Sequence, residues 1–125
     1  MDADISIDEL TFAINGCPMA VLNTLGHGFH EKLYENALAV ELAERGIPFK
    51  TQQNYDVVYK NKNIGCFVSD FVVGGRVVVE IKTVDRLGHH EKGQVLNYLR
   101  VCNLSLGLLL NFKNPKLEWQ RIILS

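Results

Sequence analysis

The chain has 125 residues, of which 47% are hydrophobic, enough for one domain (residues 1–125) around one core. Its 22% charged residues and net charge of −1 exclude a disordered polyelectrolyte. They also argue against a protein that coats nucleic acid through overall basicity, although a bound divalent cation can supply positive charge locally. The three cysteines, Cys17, Cys66 and Cys102, are odd in number and form no CxxC pair. That speaks against a disulfide framework or a zinc knuckle and predicts free, mostly buried thiols in a reducing compartment. The start, Met1-Asp2-Ala3-Asp4, lacks the basic-then-apolar layout of a signal peptide. No apolar run is long enough to cross a bilayer. The expectation is a cytoplasmic protein with no membrane partner.

In chain order, Ser6-Ile7-Asp8-Glu9 has capping-box spacing and opens a first helix. Leu10, Ile14, Cys17, Val21 and Leu25 form its apolar stripe, and Pro18 inside it predicts a kink. Gly26-His27-Gly28 breaks the helix. A second helix is predicted from Phe29 to Arg45, with Leu33, Ala37, Leu38 and Leu42 inward and Gly46 and Pro48 as stops. The period then changes. Strands are predicted over Asn54–Lys60 and Ile64–Val73, joined by a turn at Asn61-Lys62-Asn63. Gly74-Gly75 signals a hairpin into a third strand, Arg76–Val84. Its unbroken Val77-Val78-Val79 centre implies cover on both faces. A helix over His90–Cys102, a strand over Leu106–Phe112, a turn at Asn114-Pro115 and a strand over Leu117–Leu124 follow. The order α-α-β-β-β-α-β-β describes an α/β fold, a mixed sheet flanked by helices.

The candidate chemistry centres on Asp70, Glu80 and Lys82. Glu80 and Lys82 are two apart on a strand and so share a face. Whether Asp70 joins them depends on the hairpin loop. A two-residue Gly74-Gly75 loop pairs Asp70 with Val79 and puts the carboxylates on opposite faces. A three-residue loop, Val73-Gly74-Gly75 with Gly75 in a left-handed bulge position, restores a shared face. The expectation is the odd-numbered loop. Two carboxylates on one face can hold Mg²⁺ or Mn²⁺ through hard oxygen ligands. Such an ion lowers the pKa of bound water and polarises a phosphate, and a lysine beside it can orient the water or stabilise developing charge. Charges kept inside an otherwise apolar strand are expensive to bury, which sets this trio apart from a solvated Glu-x-Lys face.

Two further clusters are candidates. His90, Gln94 and Tyr98 are spaced four apart on the third helix, with Gln94 and Tyr98 as possible phosphate or base contacts. Glu31 and Glu35 share a face at the start of the second helix. Early glutamates ordinarily favour the positive dipole end. The functional reading is a further carboxylate reaching the metal, with Glu31, next to the glycine break, preferred. The four histidines have no zinc-ligand spacing, Gly26-His27-Gly28 is no phosphate loop, and no Gly-x-Ser-x-Gly is present.

These clusters together resemble the small GxxExxY proteins, whose motif reads here Gly28-Phe29-His30-Glu31-Lys32-Leu33-Tyr34. The likeness continues through Tyr34–Leu38, Glu44–Ile47, Val77–Lys82, Gln94–Leu99 and Gly107–Phe112, nearly the whole chain. The family resembles a branch of the PD-(D/E)XK nuclease superfamily, so a restriction-endonuclease-like core is expected. Asp70 and Glu80-Ile81-Lys82 match its metal-binding pattern, and Gln94 and Tyr98 match the glutamine–tyrosine helix motif of RecB-like members. The resemblance implies Asp70, Glu80, Glu31 and the Ile81 carbonyl as metal ligands. It implies Lys82 as the assistant of the nucleophile and Gln94 and Tyr98 as substrate contacts. Pro18 within the first helix and Ser69 in place of a proline before Asp70 depart from the pattern.

Three readings follow. The first is an Mg²⁺- or Mn²⁺-dependent phosphodiester hydrolase acting on DNA or RNA, with a homodimer expected to clamp the substrate. The second is a catalytically silent nucleic-acid-binding or assembly module of the same fold. The third is purely structural, with Glu80 and Lys82 paired to each other. Arg86, Lys92 and Arg100, together with Lys50, Lys60 and Lys62 on the first hairpin, can make a groove of positive potential despite the net charge.

Overall fold

The computed structural model describes residues 5–125, so the expectation placed on Met1–Asp4 lies outside the described residues. Three helices and five strands follow the expected order: α1 Ile7–Leu25, α2 Glu31–Glu44, β1 Phe49–Tyr59, β2 Lys62–Val73, β3 Val77–Lys82, α3 His89–Cys102, β4 Leu106–Asn111 and β5 Glu118–Ile123. The Ser6 side chain caps α1 by accepting from the Glu9 N–H at 3.0 Å, as the capping-box spacing predicts. The 19-residue helix includes Pro18, which is buried on the core side.

The sheet order is β1-β2-β3-β4-β5. β3 and β4 run parallel, joined through α3, and the remaining neighbours are antiparallel. One core lies between the sheet and α1 and α2, where Leu10, Ile14, Tyr34 and Leu38 meet Phe71, Val79, Ile81 and Leu110. The second lies under α3, where Val95 and Leu99 meet Val78, Leu109 and Ile122. β3 is therefore covered on both faces, as its valine run requires.

Several sequence expectations are corrected. β1 begins at Phe49, five residues early, because Phe49 packs against Phe71 at 5.9 Å between ring centroids. The first hairpin turns at Lys60-Asn61 rather than Asn61–Asn63. Tyr59 pairs with Lys62, leaving a two-residue turn with positive φ at both positions, the kind whose twist matches the strands. On α2, Tyr34 takes the buried position expected of Leu33, which is exposed. Leu25 of α1 is also exposed. The three cysteines are free, but only Cys17 is buried; Cys66 lies on the exposed stretch of β2, where no layer covers it.

Gly107 on β4 decides how closely α3 approaches the sheet. A Cβ there would stand 2.6 Å from the Val95 Cγ1 and 3.7 Å from a Leu99 methyl. The missing side chain lets the helix settle onto β4 and brings Gln94 and Tyr98 down toward β3. Overpacking of this kind costs about 1–3 kcal/mol. Gly107→Ala should therefore lower the unfolding free energy by about that amount, read as a lower urea midpoint at unchanged m-value.

Candidate active site

The hairpin between β2 and β3 determines what the carboxylates can do. Val73 pairs with Val77, Val72 with Val78 and Phe71 with Val79. The loop is therefore Gly74-Gly75-Arg76, odd-numbered as expected but one residue later than the predicted Val73-Gly74-Gly75. Gly74 and Gly75 both have positive φ, 61° and 67°, a conformation that glycine adopts without a Cβ penalty. Continued by one step, the same register sets Asp70 opposite Glu80.

At that step the ladder stops and the side chains take over. The Asp70 N–H donates to the Glu80 Oε2 at 3.1 Å. The Ile81 N–H donates to the Asp70 Oδ2 at 2.9 Å. Each carboxylate thus accepts a backbone donor, Glu80 from β2 and Asp70 from β3, and both sit at the mouth of the fork where the strands part. Glu80 is only 3% exposed. Burial first, then the hydrogen bond and charge of Asp70, push its carboxyl up to about 10, against the opposing pull of the Asp70 N–H and the Lys82 ammonium.

Lys82 does not pair with Glu80, as the structural reading requires. Its Nζ donates to the Gln94 Oε1 at 2.9 Å, joining β3 to α3. Gln94 is thus a holder of Lys82. Tyr98, one turn on, stacks on Phe67 with ring centroids 4.1 Å apart and planes 3° apart. Its hydroxyl is pushed up by burial and then by the charges of Glu80 and Asp70. His90 is exposed.

The helix α2 brings two carboxylates, Glu31 and Glu35, toward this end of the sheet. Glu31, at its first position, accepts from the Thr83 Oγ1 at 3.5 Å. Glu35, one turn further, makes the side-chain contact with Asp70 and is pushed up to about 7, chiefly by burial and then by Asp70. Lys32 pairs with it at 3.3 Å and opposes the shift. Glu31 is thus engaged with Thr83, while Glu35 interacts with Asp70. Among the described residues, no three His, Cys, Asp or Glu side chains are grouped to hold a metal ion as they stand. Asp70 bears on both Glu35 and Glu80.

Two structural supports escape sequence reasoning. Tyr34 is fully buried, stacks on Phe112 at 4.4 Å, donates from its hydroxyl to the Gly26 carbonyl at 2.7 Å and accepts from the Phe29 N–H at 3.2 Å. It ties the glycine break to the sheet and so sets where α2 begins. Asn111 is 1% exposed at the end of β4. Its amide donates to the Val84 carbonyl at 2.8 Å and to the Glu118 Oε1 at 2.9 Å, and its oxygen accepts from the Val84 N–H at 3.1 Å. Glu118 in turn accepts from the Leu87 N–H at 3.0 Å. The pair pins the segment between Lys82 and α3. The available signal is one amide in an otherwise apolar run, Leu106–Phe112.

Burial, and then the neighbouring Asp70, raise the proton affinity of Glu35 and Glu80, and hard oxygen donors held in this way suit a divalent cation. Their pKa directions give a signed pH dependence. Glu35 is raised from 4.5 to about 7, so between those values the folded chain binds more protons than the unfolded one. Stability from Glu35 is complete below pH 4.5 and is lost as pH rises through 7. Glu80 carries the same sign to higher pH. The melting temperature of the metal-free protein should fall from pH 5 to pH 8, and Glu35→Gln should flatten the decline below pH 7.

No match is found among curated proteins. A solved crystal structure, that of SSO0001, is similar in fold, with a TM-score of 0.60 and 18% sequence identity. The alignment covers 94% of this chain and 57% of that one, so this chain spans little more than half of that protein's length. The model of one family, the PD-(D/E)XK nuclease superfamily, matches residues 8–122. That match takes in all eight elements, and the mixed five-stranded sheet flanked by helices agrees with it: the chain belongs to the PD-(D/E)XK nuclease superfamily.

Proposed function

We propose that the protein is a divalent-metal-dependent nuclease that hydrolyses phosphodiester bonds of DNA or RNA at the fork between β2 and β3. The observation that carries this reading is the reciprocal placement of Asp70 and Glu80, with Lys82 two residues on and held from α3. Membership of the superfamily supplies the reaction class. The near-complete likeness to GxxExxY proteins, and the Gln94–Tyr98 pair shared with RecB-like members, support the same reading from sequence.

Asp70, Glu80 and the Ile81 carbonyl would hold Mg²⁺ or Mn²⁺, with Glu35 rather than Glu31 as the nearer additional carboxylate. When bound, such an ion supplies Lewis acidity and a water acidic enough to ionise near neutrality. The protein's own residues do the rest. Lys82, anchored by Gln94, keeps an ammonium beside the acids, where it can orient the attacking water or balance charge on the phosphoryl oxygens. Gln94 acts by positioning Lys82. Tyr98, its ring stacked on Phe67, is the substrate contact this reading keeps from the sequence. Glu31, bonded to Thr83, steadies the end of β3 against α2.

A binding module without cleavage is the second reading. It draws on the backbone N–H that each of Asp70 and Glu80 already accepts, which gives both acids a structural task.

One assay separates them. Labelled single- and double-stranded DNA and RNA are incubated with the protein in Mn²⁺, Mg²⁺ or EDTA, beside Glu80→Gln and Lys82→Ala. Cleavage should require the metal and fall by at least about 10²-fold in each variant, the scale of losing one charge-stabilising group. Cleavage that persists in both variants would refute this site. Binding without cleavage in any metal would establish the second reading.

A further inference from the structure

β2 pairs with β1 from Phe49 opposite Val73 at the root to Tyr59 opposite Lys62 at the tip, but with β3 only from Phe71 to Val73. Beyond the fork, β1 and β2 therefore continue as a two-stranded ribbon with no third strand. From Lys62 to Cys66 every residue of β2 is exposed, as are Val58 and Tyr59 facing it. A lone two-stranded ribbon is marginal in water, so one that stands clear of its sheet needs an anchor. The anchor is a three-ring stack: Tyr55 on Phe67 at 5.2 Å and 17°, and Phe67 on Tyr98 at 4.1 Å and 3°. It fixes the ribbon to α3, next to the acids.

The tip has a definite chemistry. Lys60 and Asn61 occupy the turn with φ of 49° and 64°, so a lysine stands at the outermost point. Lys62 follows it, and neither lysine is in an ion pair among the described residues. From Lys50 to Val68 the chain carries three lysines and one aspartate, a positive stretch in a protein of net charge −1.

We propose that this ribbon is a DNA-binding arm that enters the major groove of a duplex whose backbone is presented to Asp70 and Glu80. The inference rests on the nuclease reading above and adds the element that would hold the duplex, the β1–β2 ribbon. The B-form major groove, about 12 Å wide, admits a two-stranded ribbon. The A-form groove of double-stranded RNA is deep, narrow and closed to side chains. Lys60 and Lys62 meet phosphates on the groove walls, and Asn61 can reach a base edge between them. The ribbon also exposes Val58, Tyr59, Ile64 and Val68, and the Lys60 ammonium lies 5.4 Å from the centre of the Tyr59 ring; a second copy of this chain seated on those side chains would bring lysine tips of like charge together, and sedimentation of the lysine variant below separates it from DNA. Eight residues separate Lys62 from Asp70, about 26 Å at about 3.3 Å per residue, so the arm reaches at most about 8 base pairs from the cleaved bond.

The test uses the whole chain in EDTA, with fluorescence anisotropy on labelled DNA duplex, RNA duplex and single-stranded DNA over about 50–200 mM salt. The wild type should bind the DNA duplex more tightly than the RNA duplex. The double variant Lys60→Gln, Lys62→Gln should keep its melting temperature but lose DNA-duplex affinity. The slope of log K against log salt should become shallower by about 1.8, about 0.9 for each phosphate contact removed. An unchanged slope and affinity in the variant, with binding by the wild type intact, would overturn the arm and leave the nuclease reading standing. Tighter binding of the RNA duplex by the wild type would overturn it too, as would a variant that turns from dimer to monomer in sedimentation. Failure of the wild type to bind any nucleic acid would remove both the arm and the reading beneath it.

Discussion

β2 and β3 part company after Phe71 and Val79, and the rest of the site depends on that parting. A regular ladder would continue with backbone partners. Here the next two donors, the N–H groups of Asp70 and Ile81, are taken by the carboxylates of Glu80 and Asp70. The exchange satisfies the backbone, which burial demands. It also brings two acids together where burial and the neighbouring Asp70 hold the Glu80 carboxyl well above the usual carboxylate range. A strand pair that simply continued would have no such tension and no opening between its strands. The fork thus brings acidic oxygens together and frees the far half of β2 to run outward with β1.

The helices act as brackets on this fork. α3 can lie close because Gly107 offers no side chain to Val95. That closeness delivers Gln94 to Lys82 and Tyr98 to Phe67. On the other face, Tyr34 secures the glycine break to Phe112 and thereby sets the start of α2. One turn along that helix separates two different outcomes: Glu31 meets Thr83, and Glu35 meets Asp70. In the Gly28–Tyr34 motif, the tyrosine fixes the helix start, and the glutamate three residues before it braces the end of β3. Asn111 and Glu118 do the equivalent for the segment leaving β3, replacing absent ladder bonds with amide and carboxylate contacts.

Much of this was legible in the residues themselves. The capping box at Ser6, the valine run of β3, the apolar run of β4 and the hairpin glycines each carry local chemistry that selects one conformation, and the order of elements follows from them. The parity argument was legible as well. A site shared by Asp70 and Glu80 needs both on one side, which demands an odd loop, and the loop is odd. Which three residues form it was not legible, because Val73 stays in the ladder through its pairing with Val77, a cross-strand fact. The choice between Glu31 and Glu35 was likewise out of reach. Both occupy one helical face, and only the placement of α2 against the fork distinguishes them. Leu33, expected inward, gives its place to Tyr34 for the same reason, since a weakly amphipathic helix does not declare which of two neighbours turns inward.

The sequence by itself determined the elements, their order and the identity of the acids and the lysine, because these depend on period, turn chemistry and residue type over a few positions. The tertiary structure decided the pairings: which glutamate joins Asp70, which partner holds Lys82, and that β1 and β2 leave the sheet as an arm. Those outcomes depend on contacts between segments far apart in the chain. Their energies come from packing and burial across elements, which no local pattern encodes.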